Sequence, residues 1–111
     1  MIEVKKNWGK EIWVVNNDKY CGKLLYLDAG ANCSYHYHPE KQETFYCLEG
    51  EVSLTIDGDE FLLEEPYTIN PNTPHKFFGI SDAVILEVST PHREDDVIRL
   101  SGSTNGGTNG I

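Results

Sequence analysis

Residues 30–50 read GANCSYHYHPEKQETFYCLEG, and this stretch of the chain is the most informative about fold and chemistry. It contains His36, His38 and Glu43, and a further histidine, His75, follows within residues 72–77. Three imidazoles and one carboxylate form a ligand set that borderline divalent metals accept, because each offers a lone pair at neutral pH. His36 and His38 point to the same face if their segment is a strand. The stretch therefore predicts a metal site carried by β-strands.

Length and charge restrict the class of protein. A chain of 111 residues predicts one domain with a real hydrophobic core. The 9 basic residues against 18 acidic ones give a net charge of −9, which opposes binding to nucleic acid or to an anionic membrane surface. We therefore expect no nucleic acid and no membrane as partners.

The cysteines and the first residues bear on the cellular compartment. The three cysteines are odd in number and show no Cys-x-x-Cys spacing, which predicts reduced thiols in a cytoplasmic protein. Met1 is followed by polar and charged residues rather than by an apolar run of signal-peptide length, so we expect neither export nor membrane insertion.

Short apolar segments separated by turn residues predict an all-β protein. The segments are rich in β-branched and aromatic residues, and no stretch shows a helical stripe. The predicted strands are 11–15, 24–27, 44–48, 52–56, 60–63 and 83–88. Residues 16–18 and 57–59 tolerate positive φ and predict tight hairpins between strands. Strands at this spacing are typical of a sandwich or a barrel.

The C-terminal segment differs in composition from the rest. Residues 101–110 contain only Ser, Gly, Thr and Asn, which cannot bury enough apolar surface to offset the entropy of ordering. We therefore predict a folded domain over residues 1–100 and a disordered tail over 101–111.

The spacing within residues 30–50 resembles the first motif of the cupin family. That motif reads Gly, five residues, His-x-His, three or four residues, Glu, six residues, Gly. Every position is matched here, by Gly30, His36, His38, Glu43 and Gly50. The resemblance implies an all-β fold, the cupin jelly-roll β-barrel or double-stranded β-helix.

The second cupin motif is present in altered form. It usually reads Pro-x-Gly-x-x-His, with Asn four residues after the histidine. His75 is kept here, while Asn70, Asn72 and Gly79 replace the first proline, the glycine and the final asparagine. Asn tolerates left-handed backbone, so we expect the turn before His75 to form.

The resemblance implies one divalent transition metal, whether Zn, Mn, Fe, Co or Ni, held inside the barrel. Its ligands would be His36, His38, Glu43 and His75. Four protein ligands leave positions open for water or a substrate oxygen. A hairpin return from the histidines would present Glu43 from the adjacent strand, and alternation then places Phe45 and Cys47 on the same face as candidate substrate contacts.

A second likeness concerns the chemistry. Trp8-Gly9 and residues 94–100, EDDVIRL, are similar to the cupin domain of bacterial mannose-6-phosphate isomerases. This likeness implies a sugar or sugar-phosphate isomerase that acts on a small carbohydrate through a metal-stabilised enediolate. That family has Gln-x-His where this chain has His36-Tyr37-His38, and Arg where it has Lys41.

Within and beside this segment lie residues with possible roles at the substrate. Arg99 could bind a substrate phosphate through its planar fork, or it could pair with Asp95 or Asp96. The catalytic base is not identified by the sequence; His92 and Glu94 are candidates by position only.

Two other functions stay open, as does the assembly state. An iron-dependent dioxygenase could use the same ligands, and so could a non-catalytic module that binds a small sugar. Trp8 and Trp13 are expected in packing or in a dimer contact. We expect a homodimer in which the strand over 11–15 crosses to the edge of a partner sheet.

Overall fold

Antiparallel strands form the regular structure of the chain. The computed structural model describes residues 1–105, and in that range it contains eleven strands and no helix. The strands are β1 (Ile2–Lys6), β2 (Gly9–Asn16), β3 (Cys21–Leu27), β4 (Tyr35–Tyr37), β5 (Glu43–Glu49), β6 (Val52–Ile56), β7 (Asp59–Leu62), β8 (Tyr67–Ile69), β9 (His75–Gly79), β10 (Ala83–Ser89) and β11 (Ile98–Ser101). Nothing in this range is a helix long and apolar enough to cross a membrane.

The strands form two sheets that enclose the core. One sheet has six strands in the order β1-β2-β3-β10-β5-β8, and the other has five in the order β11-β4-β9-β6-β7. After β3 the chain changes sheet at every connection except β6–β7, whose strands pair as a hairpin. This winding is that of a jelly-roll barrel, so the predicted all-β fold class is confirmed.

Each strand predicted from the sequence is present, within one to three residues at its ends. The predicted hairpin at 57–59 is also present, with positive φ at Asp57 (51°) and Gly58 (88°). The sequence did not predict β1, β8, β9 and β11, and left β4 conditional. β1, β8 and β11 do alternate apolar and polar residues, but over too few positions to distinguish them from loops, and β9 has no alternation.

Alternation along the central strands builds the core. Leu25 and Leu27 of β3 and Ile85 of β10 point inward and are buried. The same inward faces carry Lys23 and Glu87, which are register partners and are 2% and 4% exposed. The apolar core therefore gives way to a polar interior on these two strands.

Both tryptophans pack within the chain. Trp8 is buried, with its ring edge-on to Phe77 at 5.1 Å between centroids. Trp13 is half-buried, and the Lys23 ammonium lies 4.4 Å from the centre of its ring. These contacts account for both side chains without a partner subunit.

The strand expected at a dimer edge is internal. β2 pairs with β3 on one side and, over residues 9–13, with β1 on the other, so most of the 11–15 segment does not lie at a sheet edge. The expected crossing fails because β1, which the sequence did not predict, already occupies that side. The homodimer itself stays a prediction.

The tail predicted to be disordered is described as far as Asn105. Ser101 is the last residue of β11, and Thr104 pairs with Asn32 through two backbone hydrogen bonds of 2.9 and 3.3 Å. The rest of that prediction, over 106–111, lies outside the described residues.

Candidate metal centre

Three histidines converge inside the barrel from the five-stranded sheet. His36 on β4 and His75 on β9 are register partners, and His38 follows β4 by one residue. One ring nitrogen from each lies within 4.8 Å of the other two. The predicted common face of His36 and His38 is present in the structure, and the three imidazoles could hold a metal ion between them.

The turn that delivers His75 has the backbone expected of it. Asn72, which stands where the motif has glycine, adopts left-handed φ of 64°. Its N–H donates to the carbonyl of His38 at 2.8 Å, so the two histidine-bearing segments are joined directly.

Hydrogen bonds fix the tautomer of all three rings. Each Nδ1 lies at hydrogen-bond distance from a backbone carbonyl. The pairs are His36 with Ser34 (2.7 Å), His38 with Asp96 (2.7 Å) and His75 with Thr73 (2.8 Å). A carbonyl oxygen only accepts, so each Nδ1 carries the proton and each neutral ring keeps its Nε2 lone pair. This is the arrangement in which histidines bind metals.

Glu43 completes the candidate ligand set from the opposite sheet. Its Oε2 lies 2.9 Å from Nε2 of His75 and 3.2 Å from Nε2 of His38, and its side chain is 3% exposed. The expectation of a hairpin to an adjacent strand is wrong. Residues 38–42 carry the chain across the barrel, because β5 pairs with β10 and β8 rather than with β4.

The contact between Glu43 and His75 brings two acceptors together. When the ring is neutral and its proton is on Nδ1, the His75 Nε2 is an acceptor, and so is the carboxylate oxygen 2.9 Å away. Both atoms are buried without a hydrogen-bond donor. Two buried acceptors repel each other unless a proton or a metal cation lies between them. The residues therefore fit a divalent cation.

The charge states suit the same role. Burial, followed by repulsion from His75 and His38, lowers the pKa of His36 to about 3, so this ring is neutral at pH 7. Burial alone would raise the pKa of Glu43, but the His38 and His75 rings and the Lys41 ammonium outweigh it and hold that pKa well below its usual range. The site thus offers the neutral imidazole of His36 and the carboxylate of Glu43.

A cavity of about 100 Å³ adjoins these residues. Its lining includes Phe45 and Arg99, both of which were predicted to contact the substrate. Apolar parts of its wall are formed by Trp8, Leu25 and Phe77. The polar lining outside the candidate ligands includes Glu11, Lys23, Lys41, Glu87, His92, Glu94 and Arg99.

The structure does not bring Cys47 to this cavity. It points inward like Phe45, but four residues of strand place it roughly 13 Å along the barrel from Glu43. Its Sγ donates to the carbonyls of Glu49 and Gly50 at 3.3 and 3.4 Å, and it packs against the core. The alternation of side chains along β5 correctly placed Cys47 on the inner face. Its distance from Glu43 along the strand keeps it out of the cavity.

Two buried lysines were missed by the sequence analysis. The Lys23 ammonium lies 3.5 Å from Glu11, and the Lys41 ammonium lies 3.0 Å from Glu87 and 3.8 Å from Glu43. Lys41 lies outside the strands, and Lys23 occupies an inward position that only its register with Glu87 establishes, so local pattern marks neither lysine.

His92 lies within the cavity but is poorly suited to act as a base. Its Nδ1 is 3.2 Å from the Lys23 ammonium and 3.5 Å from that of Lys41, and its Nε2 is 3.3 Å from Glu94. Ammonium groups only donate, so Nδ1 accepts and Nε2 carries the proton. Burial and the two lysines lower its pKa. His92 therefore presents an N–H group rather than a free lone pair.

Arg99 lies on β11 opposite His36 in register and is exposed. Within residues 1–105 it forms no ion pair with Asp95 or Asp96; Arg93 pairs with Asp95 instead. Its guanidinium is therefore available at the rim of the cavity.

The fold and the site together define a small jelly-roll protein with a histidine-rich interior. Residues 23–89 match the family model of the cupin domain, and the chain belongs to the cupin family. The resemblance noted in residues 30–50 is confirmed.

Relatives and a solved structure agree with this membership. The chain is 32% identical over 121 residues to a D-lyxose/D-mannose isomerase of Thermosediminibacter oceani, covering 82% of this chain and 67% of that protein. It is 36% identical over 120 residues to a D-lyxose ketol-isomerase of a Thermofilum species, with 80% and 67% covered. The chain thus spans about two thirds of either relative. The structure of KdgF from a Halomonas species superposes with a TM-score of 0.72 at 18% identity, covering 78% of this chain and 81% of that one, which shows likeness of fold alone.

Proposed function

We propose that this cupin is a metal-dependent sugar isomerase that interconverts an aldose and its ketose. The observation that carries the proposal is the buried contact between Glu43 and His75, within a set of three converging imidazole nitrogens beside a partly open cavity of mixed lining. The relatives named as isomerases of D-lyxose and D-mannose support the reaction class.

His36, His38, Glu43 and His75 would hold the metal, whose identity among Zn, Mn, Fe, Co and Ni stays open. When bound, a divalent cation supplies Lewis acidity that makes the proton beside a sugar carbonyl removable and stabilises the enediolate. The rest of the chemistry falls to the side chains around the cavity.

The cavity lining favours a polyhydroxylated substrate without a phosphate. Lys23 and Lys41 offer donors to sugar oxygens, but each already lies beside a carboxylate, Glu11 and Glu87 respectively. A phosphate would need an interior cation free of such a partner. Lys6 and Arg99 also line the cavity and form no ion pair within residues 1–105, so they could still bind one, and the likeness to mannose-6-phosphate isomerases stays a prediction.

Lys41 and Glu87 are placed to handle the substrate proton. Burial lowers the pKa of Lys41, but Glu87 and Glu43 outweigh it and raise that pKa, so the ammonium stays charged and can donate to a substrate oxygen. Glu87 Oε2 is buried and accepts no well-formed hydrogen bond, although Lys41 lies 3.0 Å away. The position of this carboxylate in the cavity lining supports Glu87 as the proton acceptor.

The test begins with protein purified without added metal. Elemental analysis gives the bound metal, and assays on D-lyxose, D-mannose and their phosphates give the substrate. We expect ketose formation that chelation abolishes and metal restores. Oxygen uptake by iron-loaded protein without isomerisation would favour the dioxygenase, and sugar binding without turnover the non-catalytic module.

The fourth histidine provides a matched control. His36→Ala and His75→Ala are expected to lose the metal, whereas His92→Ala is expected to retain it. Full metal occupancy in both ligand variants would show that the site is misassigned.

We also propose that the protein acts as a homodimer in the cytoplasm. The free thiols of Cys21, Cys33 and Cys47 support a reducing compartment. In the part of the chain that the structure describes, no further layer covers the outer apolar face of the six-stranded sheet, which supports a second copy as partner.

A further inference from the structure

His38 differs from the other two histidines in how its ring is held. His36 and His75 donate Nδ1–H to carbonyls two residues earlier in their own segments. His38 donates to the carbonyl of Asp96, which lies 58 residues later in the connection between β10 and β11. The orientation of this one candidate ligand therefore depends on a remote part of the chain.

Asp96 holds the His38 segment at a second point. Its side chain is 3% exposed, and its Oδ1 accepts the backbone N–H of Glu40 at 2.8 Å. Its own N–H donates to the carbonyl of Arg93 at 3.1 Å, which shapes the turn that carries it. One residue thus contacts both the His38 ring and the backbone two residues beyond it.

The connection over residues 90–97 also forms one wall of the cavity. His92, Glu94 and Val97 line it. Its first residue, Thr90, exchanges hydrogen bonds with Gln42 at 3.0 and 3.1 Å. The connection is therefore joined to the His38 segment near both of its ends.

We infer that Asp96 is a positioning residue, which sets the orientation of His38 and couples the 90–97 connection to the metal centre. This inference rests on the proposed function, because it requires that His38 bind a metal. Without the carboxylate, the Glu40 N–H loses its buried partner and the Asp96 carbonyl is no longer fixed under the imidazole. Partners of this kind usually change metal affinity about 10–100-fold.

Cobalt(II) titration against a competing chelator tests the inference. Asp96→Ala is expected to weaken binding about 10–100-fold and to change the visible spectrum of the bound cobalt, which reports ligand geometry. Asp96→Asn keeps an acceptor oxygen and should bind nearly as the wild type does. Asp95→Ala removes a neighbouring carboxylate that is 80% exposed and should have no effect.

The outcomes separate the inference from the proposed function. If wild-type protein binds cobalt and Asp96→Ala binds it within twofold with the same spectrum, the inference alone is overturned. If wild-type protein binds no metal, both fail.

A measurement on the unaltered chain decides the case in which Asp96→Ala does not fold. Zinc binding should slow hydrogen exchange at the amides of Glu40 and Asp96 at least tenfold. The amides of Ile80 and Ser81, which donate to the Glu51 carbonyl beyond the opposite end of β9 from His75, should stay unchanged. Equal exchange with and without zinc at the Glu40 and Asp96 amides would overturn the coupling.

Discussion

At the scale of single residues, the contact between Glu43 and a neutral His75 ring is unfavourable until a proton or a metal cation lies between the two acceptors. Glu43→Gln replaces one acceptor by an amide that can donate to the His75 Nε2. Loss of one partner from a buried charge pair ordinarily costs about 3–5 kcal/mol. We expect instead that metal-free Glu43→Gln is at least as stable as metal-free wild type, since Lys41 keeps Glu87 at 3.0 Å.

Urea unfolding of both proteins in the presence of a chelator measures this difference. Added metal should then stabilise the wild type and have little effect on the variant. A large loss of stability in the metal-free variant would mean that Glu43 is a structural ion-pair partner rather than a ligand.

His92 gives a second prediction at this scale, on pH. The groups facing it are the Lys23 and Lys41 ammoniums and the Glu94 carboxylate, and its folded pKa lies below the ordinary 6.5, chiefly through burial. A depressed histidine pKa contributes stability above about pH 6.5, which is lost as the pH falls towards the folded value. Wild-type protein should therefore lose more stability between pH 7.5 and 5.5 than His92→Gln does. Parallel curves for the two proteins would contradict the prediction.

The sequence located the candidate ligands but not the residues around them. His36, His38, Glu43 and His75 followed from the chemistry of their side chains and from the resemblance to the two cupin motifs. Lys23 and Glu87 did not, because a charged residue in a strand is usually outward and their inward position depends on register with each other. The role of a residue that depends on partners distant in sequence cannot be predicted from the residues next to it.

At the scale of elements, two glycines with similar φ make it possible to measure the cost of backbone strain apart from the cost of steric crowding. Gly50, between β5 and β6, has φ of 78°, and a Cβ there would lie 2.1 Å from the carbonyl oxygen of Asp82. Gly58 has φ of 88°, and a Cβ there would meet nothing within 4 Å. We expect Gly58→Ala to lower the free energy of unfolding by about 1 kcal/mol, because alanine disfavours a positive φ. Gly50→Ala should cost a further ~1–3 kcal/mol, because the neighbouring backbone must move.

Thermal and urea unfolding of the two variants measure the difference. Equal losses of unfolding free energy in the two variants would mean that the β5–β6 turn can move to accept a Cβ. Glycine would then be needed at position 50 only for its positive φ.

The strands show how far a local sequence pattern can predict the structure. β3, β5, β6 and β10 carry alternating or apolar residues and were predicted, whereas β9 begins at a buried histidine and was not. The sheet to which a strand belongs was not predictable either. Glu43 was expected beside the histidines, but five residues of connection carry it to the opposite sheet, and that crossing is what encloses the site.

At the scale of the whole molecule, the outer face of the six-stranded sheet carries an uncovered apolar row. Ile12, Leu24, Leu86 and Tyr46 are successive register partners across β2, β3, β10 and β5. They point away from the core, and in the part of the chain that the structure describes no further layer covers them. Such a face is self-complementary under twofold symmetry, which favours a second copy as its partner.

Light scattering coupled to size-exclusion chromatography tests the homodimer. Wild-type protein should elute at the mass of a dimer at micromolar concentration, and Leu86→Glu should be monomeric because it buries a charge in the apolar row. Thr55→Glu adds the same charge to the outer face of the other sheet and should stay dimeric. The net charge of −9 on each chain makes the two copies repel, so moderate salt should strengthen the dimer by screening. A wild-type monomer at all salt concentrations, or a Leu86→Glu dimer, would exclude this face as the interface.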